Sequence, residues 1–442
     1  MKAISVFGIG KLGLPLAAAA ANKGYQVIGV DTNQAIIDAV NAGKSPYYEP
    51  GLAELVAKVH PNLKATMDYG EAVRNSSVSF IVVPTPSEPD GSFSTKFVES
   101  VVEKLGKELK NKSEFHVITL DSTVLPGCTE RVLKQALEKE TGKKCGVDFG
   151  VCYSPEFIAL GSVIRDFTNP DVVLIGESDE KTGSILEAIY RDVCANNPPI
   201  VRTTIQNAEL AKISLNAYVT MKISFANTLA EMAEKLPGGD ADVISKMLGF
   251  DSRIGRKYLS GSLAFGGPCF PRDNKAFASV ARRLGTQANL AETTDVVNRK
   301  QIERIVRLVE QSVGSLKNKE IAVLGLTYKA NTDVIEEAAP VKIARELLEK
   351  GAKLTVYDPA GMNNARKVLG EKGVRYAGSA KECLKNTEFC LVSTPWDEFK
   401  SFTPADFTGA MKKARLLDCW RLYNKPEFKQ NIEYYAIGLA HG

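Results

Sequence analysis

The chain has little of what several common chemistries need. Its 442 residues include only three histidines, His60, His116 and His441, and none stands in a motif. A histidine proton relay is therefore not expected, and a zinc site is equally hard to assemble. The eight cysteines form no CxxC pair. The N-terminus runs directly into a strand-like Lys2–Phe7 with no signal-peptide plan, so the thiols read as reduced and the protein as cytoplasmic. Seven of the eight are expected to be small core residues. No run is long and apolar enough for a membrane span. Neither charge dominates: Lys and Arg total 56 against 52 for Asp and Glu, a net charge of +4. That bias is too small to imply nucleic acid or a membrane surface as partner. What remains is an ordinary globular composition, 44% hydrophobic and 24% charged, at a length that calls for two or three domains.

The first part alternates strands and helices. Strands are expected at Ala3–Gly8, Tyr25–Val30, Val78–Val83, His116–Leu120 and Val172–Ile175, with helices at Leu14–Lys23, Gln34–Ala42 and Lys96–Leu109. Such alternation predicts a parallel, doubly wound sheet. From Asn207 to Lys235 the apolar residues recur at helical spacing. Pro237-Gly238-Gly239 breaks the run, and helical segments resume to about Gly314. A long helix linking two α/β units is a natural dimer contact. The α/β plan then returns with a strand at Lys319–Leu324, a helix at Glu336–Lys350 and a strand at Lys353–Tyr357 ending on Asp358. Two echoes suggest paired lobes: Asp358 stands where Asp31 does, and Ser393-Thr394-Pro395 matches Pro84-Thr85-Pro86. The expected architecture is α/β, with two Rossmann-like doubly wound lobes joined by a long central helix and a helical middle. The expected divisions are 1–200, 201–314 and 315–442.

Gly8-Ile9-Gly10-Lys11-Leu12-Gly13 follows a strand and opens a helix, and Asp31 ends the next strand. Gly8 suits the tight turn, and Gly10 lets the backbone approach a pyrophosphate at the helix N-terminus. Gly13 permits close packing of helix on strand. Asp31 suits the adenosine ribose hydroxyls and would repel a 2′-phosphate, so NAD is favoured over NADP. The second lobe has only Gly325 at the matching turn, and no second dinucleotide bound in the same way is expected.

The run Phe265-Gly266-Gly267-Pro268-Cys269-Phe270-Pro271-Arg272-Asp273 puts a thiol in a glycine-lined turn with a carboxylate four residues on. A thiol can trap a carbonyl and later leave, and a nearby aspartate can steer water or hold a proton. Lys212 and Asn216 lie four apart on one predicted helix face, a cation and an amide suited to an alkoxide or oxyanion. Together with Asp121-Ser122-Thr123-Val124-Leu125-Pro126-Gly127, Ser154-Pro155-Glu156-Phe157 and Glu209–Asn216, these segments resemble the UDP-glucose/GDP-mannose dehydrogenase family over nearly the whole chain.

The resemblance implies an NAD-binding lobe, a central helix and a C-terminal lobe for the nucleotide diphosphate. It also implies oxidation of a nucleotide sugar's primary alcohol, twice, to the carboxylate. Carried over, Cys269 is the nucleophile that forms a thiohemiacetal and then a thioester. Lys212 and Asn216 stabilise oxyanions, and Asp273 works with Lys212 through water as base. Glu156 directs water onto the thioester, with Thr123 orienting a water or the cofactor near it. Leu12, Pro84, Thr85, Ser122 and Thr123 join Gly8, Gly10, Gly13 and Asp31 as the NAD site. The substrate site would comprise Glu156, Phe157, Lys212, Asn216, Arg253, Tyr258, Phe265, Gly266, Lys329 and Arg421. Lys329 is expected on phosphate. Arg253 is expected on the sugar, with reach into a partner subunit, while Lys257 reads as surface charge. Family members are at least dimers, so a homodimer or higher homo-oligomer is expected.

Three departures stand out. Leu160 replaces a second glutamate four positions after the first. Glu336-Glu337-Ala338 stands where many members have Arg-Glu-Ser, so an anion replaces a cofactor-binding cation. Asp418-Cys419-Trp420-Arg421 stands for Asp-Gly-Arg. The favoured substrate is UDP-glucose. GDP-mannose or a UDP-N-acetylhexosamine is the alternative within the chemistry, and the acetylated sugars fit Pro268-Cys269-Phe270 less well. A nucleotide-sugar sensor and a two-electron hydroxyacid dehydrogenase are the alternatives outside it.

Overall fold

The computed structural model describes residues 2–440, so His441 lies outside the described residues. The chain forms two compact units. The first comprises 1–215 with 279–285, and the second 216–278 with 286–442.

In the first unit eight strands form one sheet: β1 (Ala3–Phe7), β2 (Gln26–Val30), β3 (Leu63–Thr66), β4 (Val78–Ile81), β5 (His116–Leu120), β6 (Phe149–Tyr153), β7 (Val173–Glu177) and β8 (Ile200–Thr204). Their order is β3-β2-β1-β4-β5-β6-β7-β8. All neighbours are parallel except β6 and β7, which pair antiparallel through Cys152–Glu177 and Tyr153–Gly176. Apolar layers cover both faces, the signature of double winding. One gathers Ile4, Val6, Val27 and Val78 with Ala17–Ala21 of the helix Gly13–Asn22, whose small side chains allow close approach. The other gathers Phe7, Ile81, Ile118 and Leu120 with Val98, Val102 and Leu105 of the helix Lys96–Leu109.

The second unit holds a six-stranded, wholly parallel sheet: β9 (Glu320–Leu324), β10 (Lys353–Tyr357), β11 (Val374–Tyr376), β12 (Phe389–Val392), β13 (Arg415–Asp418) and β14 (Glu433–Ala436). Its order, β11-β10-β9-β12-β13-β14, repeats that of the first six strands of the other sheet. The two doubly wound lobes are therefore real.

The helix Ile205–Glu234 runs as one 30-residue element, through Leu215 in the first unit and onward in the second. The helices Ala241–Phe250, Phe270–Arg283 and Asn289–Val313 follow, the last ending at Gly314 with φ 75°. One expected helix start is corrected. The helix expected from Glu336 begins at Ala339, because Glu337 adopts a left-handed φ of 51° and Pro340 sits in the first turn. Among the described residues no helix is long and apolar enough to cross a membrane.

Candidate active site

The glycine turn sits where the strand order reverses, at the carboxyl ends of β1 and β4. Gly8 has φ 93°, and a Cβ there would collide with the Val82 carbonyl oxygen. A Cβ on Gly13 would strike the carbonyl of Gly8, whereas one on Gly10 would meet nothing within 4 Å. Gly8 and Gly13 are thus required by the fold. Gly10 faces open space, as the approach of a pyrophosphate demands. Asp31 follows β2, and its carboxylate accepts from Ile9 N at 3.2 Å and Asn33 N at 3.0 Å. Leu12 is exposed at the start of the helix Gly13–Asn22. The loops after β4 and β5 are stitched together beside this turn. Val83 N donates to Ser122 Oγ at 3.0 Å, Ser122 Oγ donates to Val83 O at 2.7 Å, and Thr85 Oγ1 donates to Thr123 O at 2.7 Å. Pro84 lies exposed within this stitch. These residues fit a dinucleotide: a glycine cradle, an open approach and an acid ending the second strand.

The second lobe is built differently at the matching place. Asp358 is 1% exposed, and its Oδ2 accepts from Leu326 N at 2.7 Å, Thr327 N at 3.1 Å and Trp396 Nε1 at 3.1 Å. An acid sealed in this way has no lone pair to offer a ribose.

Glu156 and Lys212 meet within the first unit. The Lys212 ammonium donates to the Glu156 carbonyl oxygen and lies 4.9 Å from the centre of the Phe157 ring. Lys212 is buried rather than solvated. Burial lifts the Glu156 carboxyl to about 7, against the opposing pull of the Lys212 charge and a hydrogen bond from Tyr190 Oη at 3.4 Å. Two further residues complete this cluster, and the sequence pattern assigns neither a role. Tyr190 is one; it comes from the helix Glu180–Val193 and carries no motif. The other is Glu209, fully buried, which accepts from Gly127 N at 2.6 Å and Thr129 N at 2.7 Å. It pins the Lys212 helix to the end of the loop that carries Ser122 and Thr123. Its position inside the motif Glu209–Asn216, one turn before Lys212, was the available signal.

Cys269, Asn216 and Asp273 belong to the second unit. Of the eight cysteines six are buried, Cys145 is only half-buried, which corrects the expectation of seven core cysteines, and Cys269 alone is exposed, immediately before the helix Phe270–Arg283. Its carbonyl accepts from Asp273 N at 2.8 Å. The thiol therefore sits at a helix N-terminus, the end that favours negative charge. Asp273 is 1% exposed and accepts from Asn216 Nδ2 at 2.6 Å and Arg272 Nε at 3.2 Å. The glycines ahead of the thiol are forced by packing: a Cβ on Gly266 would collide with the Glu337 carbonyl, and one on Gly267 with the Tyr328 ring. Phe265 is fastened through its backbone to Asn298, at 2.8 Å and 2.9 Å. Tyr258, half exposed with φ 65°, stands edge-on to Phe270.

The cations expected to serve the substrate also belong to this unit. Lys329 follows β9 at intermediate exposure. Arg253 is exposed and forms a two-pronged pair with Asp251, at 2.9 Å and 2.6 Å. Arg421 is buried between Asp240, at 2.6 Å, and Asp242, at 2.8 Å. Its Nε and Nη2 are buried donors with no hydrogen-bond partner among the described residues. Glu336 is exposed, and Glu337 pairs with Lys342.

Models of three domains of the UDP-glucose/GDP-mannose dehydrogenase family match the chain in order: the NAD binding domain at residues 2–194, the central domain at 206–300 and the UDP binding domain at 322–425. The chain belongs to this family. Its cofactor is NAD, and the family is one of NAD-dependent nucleotide-sugar dehydrogenases. The UDP-glucose 6-dehydrogenase AglM of Haloferax volcanii is 35% identical over 437 residues, 98% of this chain and 99% of the relative. A GDP-mannose 6-dehydrogenase of Pseudomonas putida is 34% identical over 431 residues, 93% of this chain and 97% of the relative. The solved UDP-glucose dehydrogenase of Pyrobaculum islandicum superposes with a TM-score of 0.90 at 33% identity, covering 100% of this chain and 98% of that one.

Proposed function

We propose that this family member oxidises the primary alcohol of UDP-glucose to the carboxylate of UDP-glucuronate, through a covalent intermediate on Cys269. The observation that carries the reading is the exposed Cys269 at a helix N-terminus, backed by the buried Asn216–Asp273 pair. The full-length likeness to UDP-glucose enzymes in Haloferax and Pyrobaculum supports the choice of sugar nucleotide. The same chemistry on GDP-mannose is the second reading, favoured by the Pseudomonas relative.

NAD, when bound, accepts one hydride in each of two oxidations. The chain's own residues do the rest. Lys212 and Asp273, through water, take the hydroxyl proton as the alcohol becomes an aldehyde. The Cys269 sulfur then adds to the aldehyde carbon, forming a C–S bond that holds the half-oxidised sugar in place. Lys212 and Asn216 stabilise the oxyanion that results. After the second oxidation the intermediate is a thioester. Glu156 accepts a proton from water as its oxygen bonds the carbonyl carbon, and the C–S bond breaks with Cys269 leaving as thiolate. Thr123 orients water near Glu156.

Gly8, Gly10, Leu12, Gly13, Asp31, Pro84, Thr85, Ser122 and Thr123 form the NAD site in this reading. Phe157, Tyr258, Phe265 and Gly266 line the sugar. Lys329 takes the diphosphate, and the two unpartnered donors of Arg421 serve the nucleotide. Arg253 reaches the sugar held by a second copy of the chain. The divisions 1–200, 201–314 and 315–442 serve as cofactor, dimerisation and nucleotide-sugar domains of a cytoplasmic enzyme. A second copy covers Tyr218, Phe225 and Met232, which recur every seven residues along the central helix and remain exposed.

Turnover with NAD across UDP-glucose, GDP-mannose and UDP-N-acetylhexosamines tests the substrate directly. The highest kcat/KM should belong to UDP-glucose; a preference for GDP-mannose would replace it.

A further inference from the structure

Strand register brings Asp121 next to the loop that carries Glu156, although no motif pairs them. The β5–β6 register pairs Leu120 with Tyr153, and Ser154 N donates to Leu120 O at 3.0 Å. The next residues, Asp121 and Ser154, therefore leave their strands as neighbours, with side chains on one face. Glu156 follows two residues after Ser154. Tyr190 covers that face: its hydroxyl accepts from Ser154 Oγ at 2.8 Å and donates to Glu156 Oε1 at 3.4 Å.

The Asp121 side chain is enclosed. The residue is 6% exposed, and Oδ1 accepts from Thr119 Oγ1 at 2.9 Å. Oδ2 is buried with no hydrogen-bond partner among the described residues. An ionised carboxylate would be stranded there, because a buried charge needs a partner to offset lost hydration. The groups facing the pair are Tyr190 from its helix, Cys152 from β6 and Cys194 after the Tyr190 helix, with Lys212 from the central helix on the Glu156 side only. On Glu156's own loop, Leu160 supplies no second carboxyl.

We propose that Asp121 acts through Glu156 as a positioning residue, a carboxyl that stays protonated so that the pair carries a single negative charge, on Glu156. This rests on the reading of Glu156 as the group that directs water onto the thioester. Lys212 lies beside Glu156, so the charge sits there and the proton sits on Asp121 Oδ2. Burial, and after it the charge of Glu156, both hold the Asp121 carboxyl above the usual range, in keeping with that placement. During hydrolysis the water's O–H breaks, its oxygen bonds the carbonyl carbon and its proton moves to Glu156. Both carboxyls are then neutral until that proton passes to solvent.

The test combines pH profiles with carboxyl spectroscopy on the full-length enzyme. In Asp121→Asn a neutral polar side chain still stands near Glu156, so the acid limb of kcat should stay where the wild type has it. In Asp121→Leu that polar group is replaced by an apolar one, which disfavours the charged form of Glu156, and the acid limb should move up by about one pH unit. Independently, infrared difference spectra at pH 8 should show a protonated-carboxyl band in the wild type that Asp121→Asn lacks. An ionised Asp121 at pH 8 would overturn the proposal, and so would superimposable acid limbs for wild type and Asp121→Leu. Should Asp121→Leu not fold, the spectrum of the wild type against Asp121→Asn still decides. Full thioester hydrolysis by Glu156→Gln would instead overturn the role of Glu156, leaving the spectral result for Asp121 separate.

Discussion

Asn216 donates to Asp273 at 2.6 Å, and both side chains are buried. Asn216 reaches from the central helix and Asp273 from the first turn of the helix that begins after Cys269. The bond therefore ties the nucleophile's helix to the helix that also carries Lys212. Breaking it from one side leaves a buried polar group stranded, which costs about 1–3 kcal/mol. Asn216→Ala should lower stability by that amount and lower kcat as well. Asp273→Asn keeps the shape but removes the charge, so kcat should fall roughly 10²–10⁴-fold with little change in melting temperature. Thermal melts beside steady-state kinetics check both; equal kcat in Asp273→Asn and wild type would remove Asp273 from the chemistry.

The three glycines of the turn should separate fold from cofactor. Gly13→Ala forces a Cβ into the Gly8 carbonyl and should destabilise the first unit. Gly10→Ala meets no protein atom within 4 Å. Its melting temperature without cofactor should match the wild type, while its KM for NAD rises at least roughly tenfold as the new methyl blocks the pyrophosphate. Differential scanning fluorimetry with and without NAD makes the comparison.

The Glu156 carboxyl, lifted to about 7 by burial, sets a pH signature. Its base form grows as pH rises through 7, so the hydrolytic step should speed up over that range. The stability effect has the opposite sign. Between the ordinary carboxyl value and 7 the unfolded chain has lost this proton while the folded chain keeps it, so stability falls as pH rises through that window. Glu156→Gln should thus abolish hydrolysis yet be more stable than wild type at pH 8, by up to about 3 kcal/mol, with no gain at pH 4. Urea denaturation at the two pH values measures it.

The exposed Phe225 and Met232 should lie inside an interface between copies. Phe225→Asp with Met232→Asp should shift the protein to monomers in analytical ultracentrifugation. If Arg253 serves a neighbouring copy's sugar, activity should fall with the monomer fraction. A wild type that sediments as a monomer would refute the assignment.

What could be read from sequence was what is local. The glycine fingerprint, the strand before it and the terminal acid lie within one short stretch, and each has a backbone reason. The likeness of the two lobes was visible through its echoes at Asp31 and Asp358. In the first sheet three strands escaped notice. β3 has four residues, one of them the exposed Lys64. β8 has no fully buried residue. β6 carries Gly150 at its centre, a residue that weakens a strand signal; it is there because Thr182 fills the space a Cβ would need. The partners of Glu156 escaped for another reason. Tyr190 lies 34 residues away, and Asp121 is brought near by strand register alone. Neither proximity leaves a trace in spacing.

The covalent step at Cys269 is the claim on which the account turns. With excess NAD and limiting UDP-glucose, NADH formed per sugar should be two, and quenching mid-reaction should reveal a sugar adduct on the Cys269 peptide by mass spectrometry. Cys269→Ser should turn over far more slowly. One NADH per sugar, with free aldehyde in solution and an unmodified Cys269 peptide, would contradict it.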